Sequence, residues 1–216
     1  MDSITDPKTV RIDPARPLVI CDVDEVLGLF FQGFGRYIKS RGYELRLERF
    51  ALFQNIYAPG ASEHLDLETG RGLFDDFFRF ACDEMDLIPG ASEGLAALAK
   101  GATVVALTNA PDHAREPRTR WMETHRLPYP LFINEGLKGA AVAVLAAHTR
   151  APVAFIDDLL PNLESVATTA PAVHRFQMIG DPALRALAPA APERHPRFDD
   201  WPTLAPAIAR TLGFGA

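Results

Sequence analysis

Three apolar runs rich in β-branched residues each stop on polar side chains: "LVICDVD" (18–24), "ATVVALTN" (102–109) and "APVAFIDD" (151–158). Such short runs, bounded by polar residues, read as buried strands. Beyond residue 89 helical patterns separate them. "PDHAREPRTRWMETHRL" (111–127) is a helix that Pro117 must kink or restart, because its ring clashes with the preceding turn. "PLFIN" (130–134) is a short strand and "KGAAVAVLAAHT" (138–149) a strong helix former. "LPNLESVATTA" (160–170) follows as a helix with Pro161 in its first turn, and "PAVHRFQMI" (171–179) as a last strand. Strands alternating with helices imply a Rossmann-like α/β architecture, a parallel sheet with helices on both faces.

Residues 28–89 break that rhythm. "LGLFFQGFGRYIKSRGYEL", "LERFALFQNIY" and "GLFDDFFRFACDEMDLI" read as helices joined by turns, with no strand among them. The expected organisation is therefore a core of residues 1–27 and 90–216 carrying a small α-helical cap at 28–89. Phe30, Phe31, Phe34, Phe50, Phe53, Phe74, Phe77, Phe78 and Phe80 supply the core that a helical insertion needs, with one or two free to face a ligand. Past residue 188 a Pro-rich stretch reads as a surface excursion before a final helix near 202–212.

Composition narrows the partners. With 48% hydrophobic and 23% charged residues, the 216-residue chain can bury an ordinary core. A net charge of -6 argues against a grip on polymeric nucleic acid, whose affinity comes from Lys and Arg on phosphates. Two cysteines, Cys21 and Cys82, make a disulfide framework improbable and favour a reducing compartment. The N-terminal stretch has no apolar signal core and no run approaches a membrane span, so the expected location is cytoplasmic, with no membrane partner.

Parallel strands point the same way, so their C-terminal ends meet at one edge, where open α/β sheets bind ligands. Asp22 and Asp24, Thr108 and Asn109, and Asp157 and Asp158 should converge there. The bland alternative for Asp22 and Asp24 is a strand end and turn, where aspartate is common. Lys138 opens a helix facing the same edge, and it is one of only four lysines. Clustered carboxylates need a counter-charge, and oxygen ligands in this number suit Mg²⁺, which bridges carboxylates to phosphate. An aspartate oxygen could then attack phosphorus while Lys138 and Thr108 hold the phosphoryl oxygens, the places where charge spreads in the transition state.

The segments "VICDVDEVL", "VVALTN", "LKGAAVAVL" and "VAFIDDLLPN" resemble, in order, the four motifs of the haloacid dehalogenase superfamily. The segment at 28–89 resembles the cap that many members insert after the first strand, and "IPGASEGLAALA" the helix that follows it. The resemblance, which covers roughly residues 17–180, implies roles. Asp22 is the nucleophile, forming an aspartyl-phosphate. Asp24 is the acid and base, and its backbone carbonyl is a metal ligand. Thr108 holds the phosphoryl group with help from Asn109, and Lys138 pairs with the nucleophile. Asp157 binds Mg²⁺, with Asp158 a second ligand or an orienting neighbour. The presence of Asp24 favours phosphate esters over carbon–halogen bonds, since a departing halide needs no proton.

Glu25 and Val26 depart from the pattern, which often has Gly and Thr there. An extra acid at 25 either perturbs Asp24 or points away into the cap hinge, and the outward placement is the expectation. More loosely, the aromatic start of the cap and the Asp157–Asp158–Asn162 ending resemble the 5′-deoxyribonucleotidase branch, in which case Phe30, Phe31 or Phe34 stacks on a base or lines an apolar pocket; packing between cap helices is the expectation for each. His113, just past the second motif, either touches substrate or is a solvent-facing helix start, and the latter is the expectation. Arg36, Arg71 and Arg115 are candidates for a second anionic group.

The expected function is a Mg²⁺-dependent phosphomonoesterase acting on a small soluble phosphate ester, with nucleoside monophosphates among the candidates. Its rivals are a phosphotransferase or phosphomutase on the same scaffold and a non-catalytic module that binds a phosphometabolite. A response-regulator receiver domain fits poorly, being shorter and without a helical insertion.

Overall fold

Strand β1 (Leu18–Cys21) is buried along its whole length and divides its side chains between two cores. Val19 and Cys21 join one apolar cluster, Leu18 and Ile20 the other, as the twofold periodicity of a strand requires. The computed structural model describes residues 11–215. After β1 come α1 (Phe30–Ser40), a two-stranded antiparallel ribbon of β2 (Glu44–Leu45) and β3 (Ile56–Tyr57), and α2 (Leu67–Phe80). The alternating part then runs α3 (Ala91–Ala99), β4 (Thr103–Asn109), α4 (Arg115–Thr124), β5 (Leu131–Asn134), α5 (Gly139–Ala146), β6 (Val153–Asp157), α6 (Leu160–Thr169) and β7 (His174–Met178). It closes with β8 (Arg197–Phe198) and α7 (Trp201–Thr211).

Six strands form one parallel sheet in the order β5-β4-β1-β6-β7-β8. Helices α5 and α6 cover the face of Leu18 and Ile20, while α3, α4 and α7 cover the other, so the α/β expectation holds. The chain leaves β1 for β4 on one side and β6 on the other, which makes β1 the switch point of the sheet. Register sets the site. Cys21 lies level with Ala106 and Ile156, so Asp22 and Asp157 emerge side by side.

Several sequence expectations change. Residues 47–55, expected as part of a helix over 47–57, form an irregular loop with a single 3-10 turn (Phe53–Asn55). The buried Asn55 amide donates to the carbonyls of Arg49 and Ala51 and its oxygen accepts from the Glu48 N–H, so a side chain satisfies the backbone groups a helix would have paired. The chain on either side of that loop closes as the β2–β3 ribbon, so residues 28–89 do contain strand. Helix α2 starts at Leu67, five residues before the expected "GLFDD" start, because Asp66 caps it by accepting from the Thr69 N–H at 2.8 Å. The Pro-rich stretch contains β8, the sixth strand. Buried Gln177 anchors it by donating to the carbonyl of Pro189, and Arg197 by donating to those of Arg185 and Ala188. Pro117 restarts the chain as expected: a 3-10 turn (Asp112–Ala114) runs into α4, with the proline in its first turn.

The phenylalanines of 28–89 form a continuous core with the sheet. Phe30, Phe34, Phe77 and Phe78 are buried and their rings meet edge-on or stacked, with centroids 5.4–6.1 Å apart. Phe80 is the exception, 59% exposed. No helix among the described residues is long and apolar enough to cross a membrane. Cys21 and Cys82 are both free and buried.

Candidate active site

At the C-terminal end of β1, Asp22 Oδ1 accepts from the Val23 N–H at 2.7 Å and pairs with Lys138 Nζ at 2.6 Å. The same ammonium reaches Asp157 Oδ2 at 2.8 Å. Lys138 is 1% exposed and stands at the cap position of α5. Gly139 lets that helix end press against α6: a Cβ there would lie 2.4 Å from Ser165 Oγ and 2.7 Å from the Ser165 carbonyl. The "KG" pair thus places the lysine by the close approach of two helices.

Asp157 is fully engaged. Besides Lys138, it accepts from the Leu159 N–H at 2.9 Å and from Asn162 Nδ2 at 3.0 and 3.2 Å. Asp158 makes no side-chain hydrogen bond or ion pair among the described residues, yet it is buried beside them. Asp22, Asp157 and Asp158 each offer an oxygen within 4.8 Å of the others. One ammonium faces three carboxylates, a set of hard oxygen donors that fits a divalent cation.

The electrostatics follow from burial. Burial raises the Asp22 carboxyl pKa, an effect that Lys138 opposes and Asp157 reinforces. Asp158 is raised by burial and then by Asp157 and Asp22. Burial would lower Lys138, but Asp157 and Asp22 outweigh it and hold the ammonium protonated. Glu25 is pushed up to about 8, chiefly by burial.

The folded chain therefore keeps protons that the unfolded chain releases near pH 4. The stability these groups contribute is whole below pH 4 and is lost as pH rises through 7 to 8. Without divalent cation, melting temperature should fall from pH 5 to pH 8, with Glu25 alone contributing on the order of a few kcal/mol. Glu25→Gln should flatten the slope, and Mg²⁺ should restore stability most at the alkaline end. Thermal melts with and without chelator check this, and a melting temperature that rises across the range contradicts it.

Asp24 stands apart from the acidic trio. Its carboxylate pairs with Arg118 and accepts from Thr108 Oγ1 at 3.5 Å. Arg118, on α4, is fully buried, lies over the Phe78 ring at 4.9 Å and donates to Met85 Sδ. It was not among the arginines the sequence singled out. A signal was present, since Ala114, Arg118, Trp121 and Met122 follow helical spacing on one buried face, with a cation in an apolar stripe.

Glu25 does not point outward. It is 1% exposed, and its Oε1 accepts from the Phe31 N–H at 2.8 Å, closing the first turn of α1, which has no side-chain cap of its own. Its φ of 60° is the left-handed region, where glycine is the usual residue.

Above these groups lies a cavity of about 310 Å³, lined from below by Asp22, Asp24, Glu25, Lys138 and Asp158, and from above by the 28–89 segment. Of the expected residues, Thr108 is buried outside the cavity lining, behind Asp24. Asn109 reaches the lining, but its amide donates to the Gly136 carbonyl and accepts from Asn134. Phe30 and Phe31 both pack and line the cavity, while Phe34 is core alone. His113 is half-buried in the 3-10 turn and contacts Asp75 of α2, so it is no solvent-facing helix start. Arg36 and Arg115 pair with Asp86 and Asp112, Arg71 is exposed, and none of the three lines the cavity.

No protein-family model matches the chain, and no curated protein matches its sequence. Solved structures do. YfnB of Bacillus subtilis, assigned as a HAD-hydrolase and bound to magnesium, is similar at TM-score 0.61 and 12% identity, over 94% of this chain and 100% of that one. A HAD family hydrolase of Deinococcus radiodurans R1 with bound phosphate and sodium matches at TM-score 0.56 and 17% identity, over 94% and 100%. A protein of Thermotoga maritima assigned as a beta-phosphoglucomutase matches at 0.55 and 14%, over 91% and 100%. The chain has the haloacid dehalogenase-like fold.

Proposed function

We propose that this chain is a Mg²⁺-dependent phosphomonoesterase, with residues 28–89 acting as a cap over the site. The observation that carries the reading is the buried Lys138 ammonium bridging Asp22 and Asp157 below the cavity, with Asp158 unpaired beside them. Asp22 Oδ1 is held by Lys138 and the Val23 N–H, which leaves Oδ2 to attack phosphorus. Asp24, which takes up a proton from solvent before this step, gives it to the ester oxygen, which departs as the free alcohol. Asp24 then removes a proton from water, whose oxygen attacks the aspartyl-phosphate, releases inorganic phosphate and returns Asp22 as carboxylate. Lys138 stays protonated and offsets charge on the phosphoryl oxygens.

Asp22 and Asp158 would hold Mg²⁺, with the backbone carbonyl of Asp24, while Asp157 orients Lys138. The ion would neutralise the surplus carboxylate charge and draw the phosphate to the nucleophile. The buried thiols fit a reducing, cytoplasmic setting, and the net charge fits a small-molecule ester over a nucleic-acid polymer. The test is release of inorganic phosphate from a panel of phosphate monoesters with Mg²⁺ and with chelator. Metal-dependent release is expected. Transfer to an added alcohol in place of release would make the protein a phosphotransferase, and binding without turnover a non-catalytic module.

A further inference from the structure

The floor of the cavity is charged and its walls are not. Phe30, Phe31, Phe50, Leu52, Phe74 and Leu159 form the walls. Among the described residues Lys138 is the only cation in the lining, and its ammonium already bridges Asp22 and Asp157. Arg118, buried on α4, is turned to Asp24 and Phe78. A leaving group with a carboxylate or second phosphate would meet phenylalanine rings and aspartates with no free cation, a costly placement.

A polyhydroxylated leaving group fares little better. Among the described residues the walls carry no hydroxyl side chain, and the two amides in the lining are engaged, Asn109 with Gly136 and Asn134, and Asn162 with Asp157. Sugar hydroxyls would give up water and find few partners. The volume, about 310 Å³, is at the small end of ligand pockets.

We infer that the walls form a leaving-group site for an uncharged, apolar alcohol about the size of one substituted ring, so that the substrate is an arylalkyl or branched-alkyl phosphate monoester. The inference rests on Asp22 being the phosphoryl acceptor, and it disfavours sugar phosphates and nucleotides alike.

The experiment compares ethyl phosphate, 2-phenylethyl phosphate, 3-carboxypropyl phosphate and glucose 6-phosphate, which leave as alcohols of similar basicity. With Mg²⁺ present, kcat/KM for the phenylethyl ester should exceed each of the others by about tenfold or more. A parallel arm needs no turnover: calorimetric binding of 2-phenylethylphosphonate should be about tenfold tighter than that of ethylphosphonate. Hydrolysis without preference overturns the inference and leaves the phosphatase reading standing. Selective phosphonate binding without hydrolysis overturns the phosphatase reading and the substrate assignment with it, leaving the walls as an apolar binding site, and equal phosphonate affinities overturn the inference whatever the turnover. Phe50→Ala, in a half-buried loop position, should lower the phenylethyl-to-ethyl ratio at least about threefold. An unchanged ratio overturns the assignment of that wall.

Discussion

Asp22→Asn is expected to lower phosphate release on the order of 10⁴-fold or more, the scale seen when a nucleophile is removed from an intact site. The carboxamide keeps the shape of the side chain, and its oxygen can still accept from the Val23 N–H and Lys138. It cannot attack phosphorus as a carboxylate does. Unfolding is not the expected cause. Burial already disfavours the charged form of Asp22, so removing that charge should leave the metal-free protein at least as stable at pH 8. Phosphate release and thermal melts on the same preparation separate the two effects. Wild-type turnover in the variant would remove Asp22 as nucleophile, whereas lost turnover with a lowered melting temperature would leave the fold, not the chemistry, as the explanation.

The convergence of Asp22, Asp157 and Lys138 was legible because it follows from strand direction. Once three apolar runs are read as parallel strands, their terminal residues must share an edge, whatever the loops do. What was not legible depends on side chains competing with backbone patterns. The stretch 47–57 has helical periodicity, but Asn55 satisfies the loop carbonyls and a ribbon forms around it. Glu25 looked like a surface acid because acids are seldom buried. It is buried because the first turn of α1 needs an acceptor and the left-handed backbone at 25 turns the carboxylate toward it. Strand β8 is two residues long and lies in a Pro-rich stretch, and periodicity cannot be read over so short a run.

Arg118 and Asp24 give the second large effect, and it is a matter of stability. Arg118 is 0% exposed, while the Asp24 side chain keeps 21% of its surface. The two halves of the pair are therefore unequal. Asp24→Asn strands a guanidinium between Phe78 and Met85 with no anion, and should cost about 3–5 kcal/mol of unfolding free energy. Arg118→Met should cost less, because the freed carboxylate can turn to water and the methionine fills an apolar site of similar length. The double variant should be more stable than Asp24→Asn alone, since the charge that needed a partner is gone. Urea denaturation of the four proteins reads this directly. Simple additivity would show that the guanidinium does not depend on Asp24. Because the cycle measures folding and not turnover, it tests the placement of Asp24 even if the protein hydrolyses nothing. If the coupling is large, Arg118 also sets where the proposed acid and base stands before substrate arrives, from a helix that contacts the 28–89 segment through Phe78.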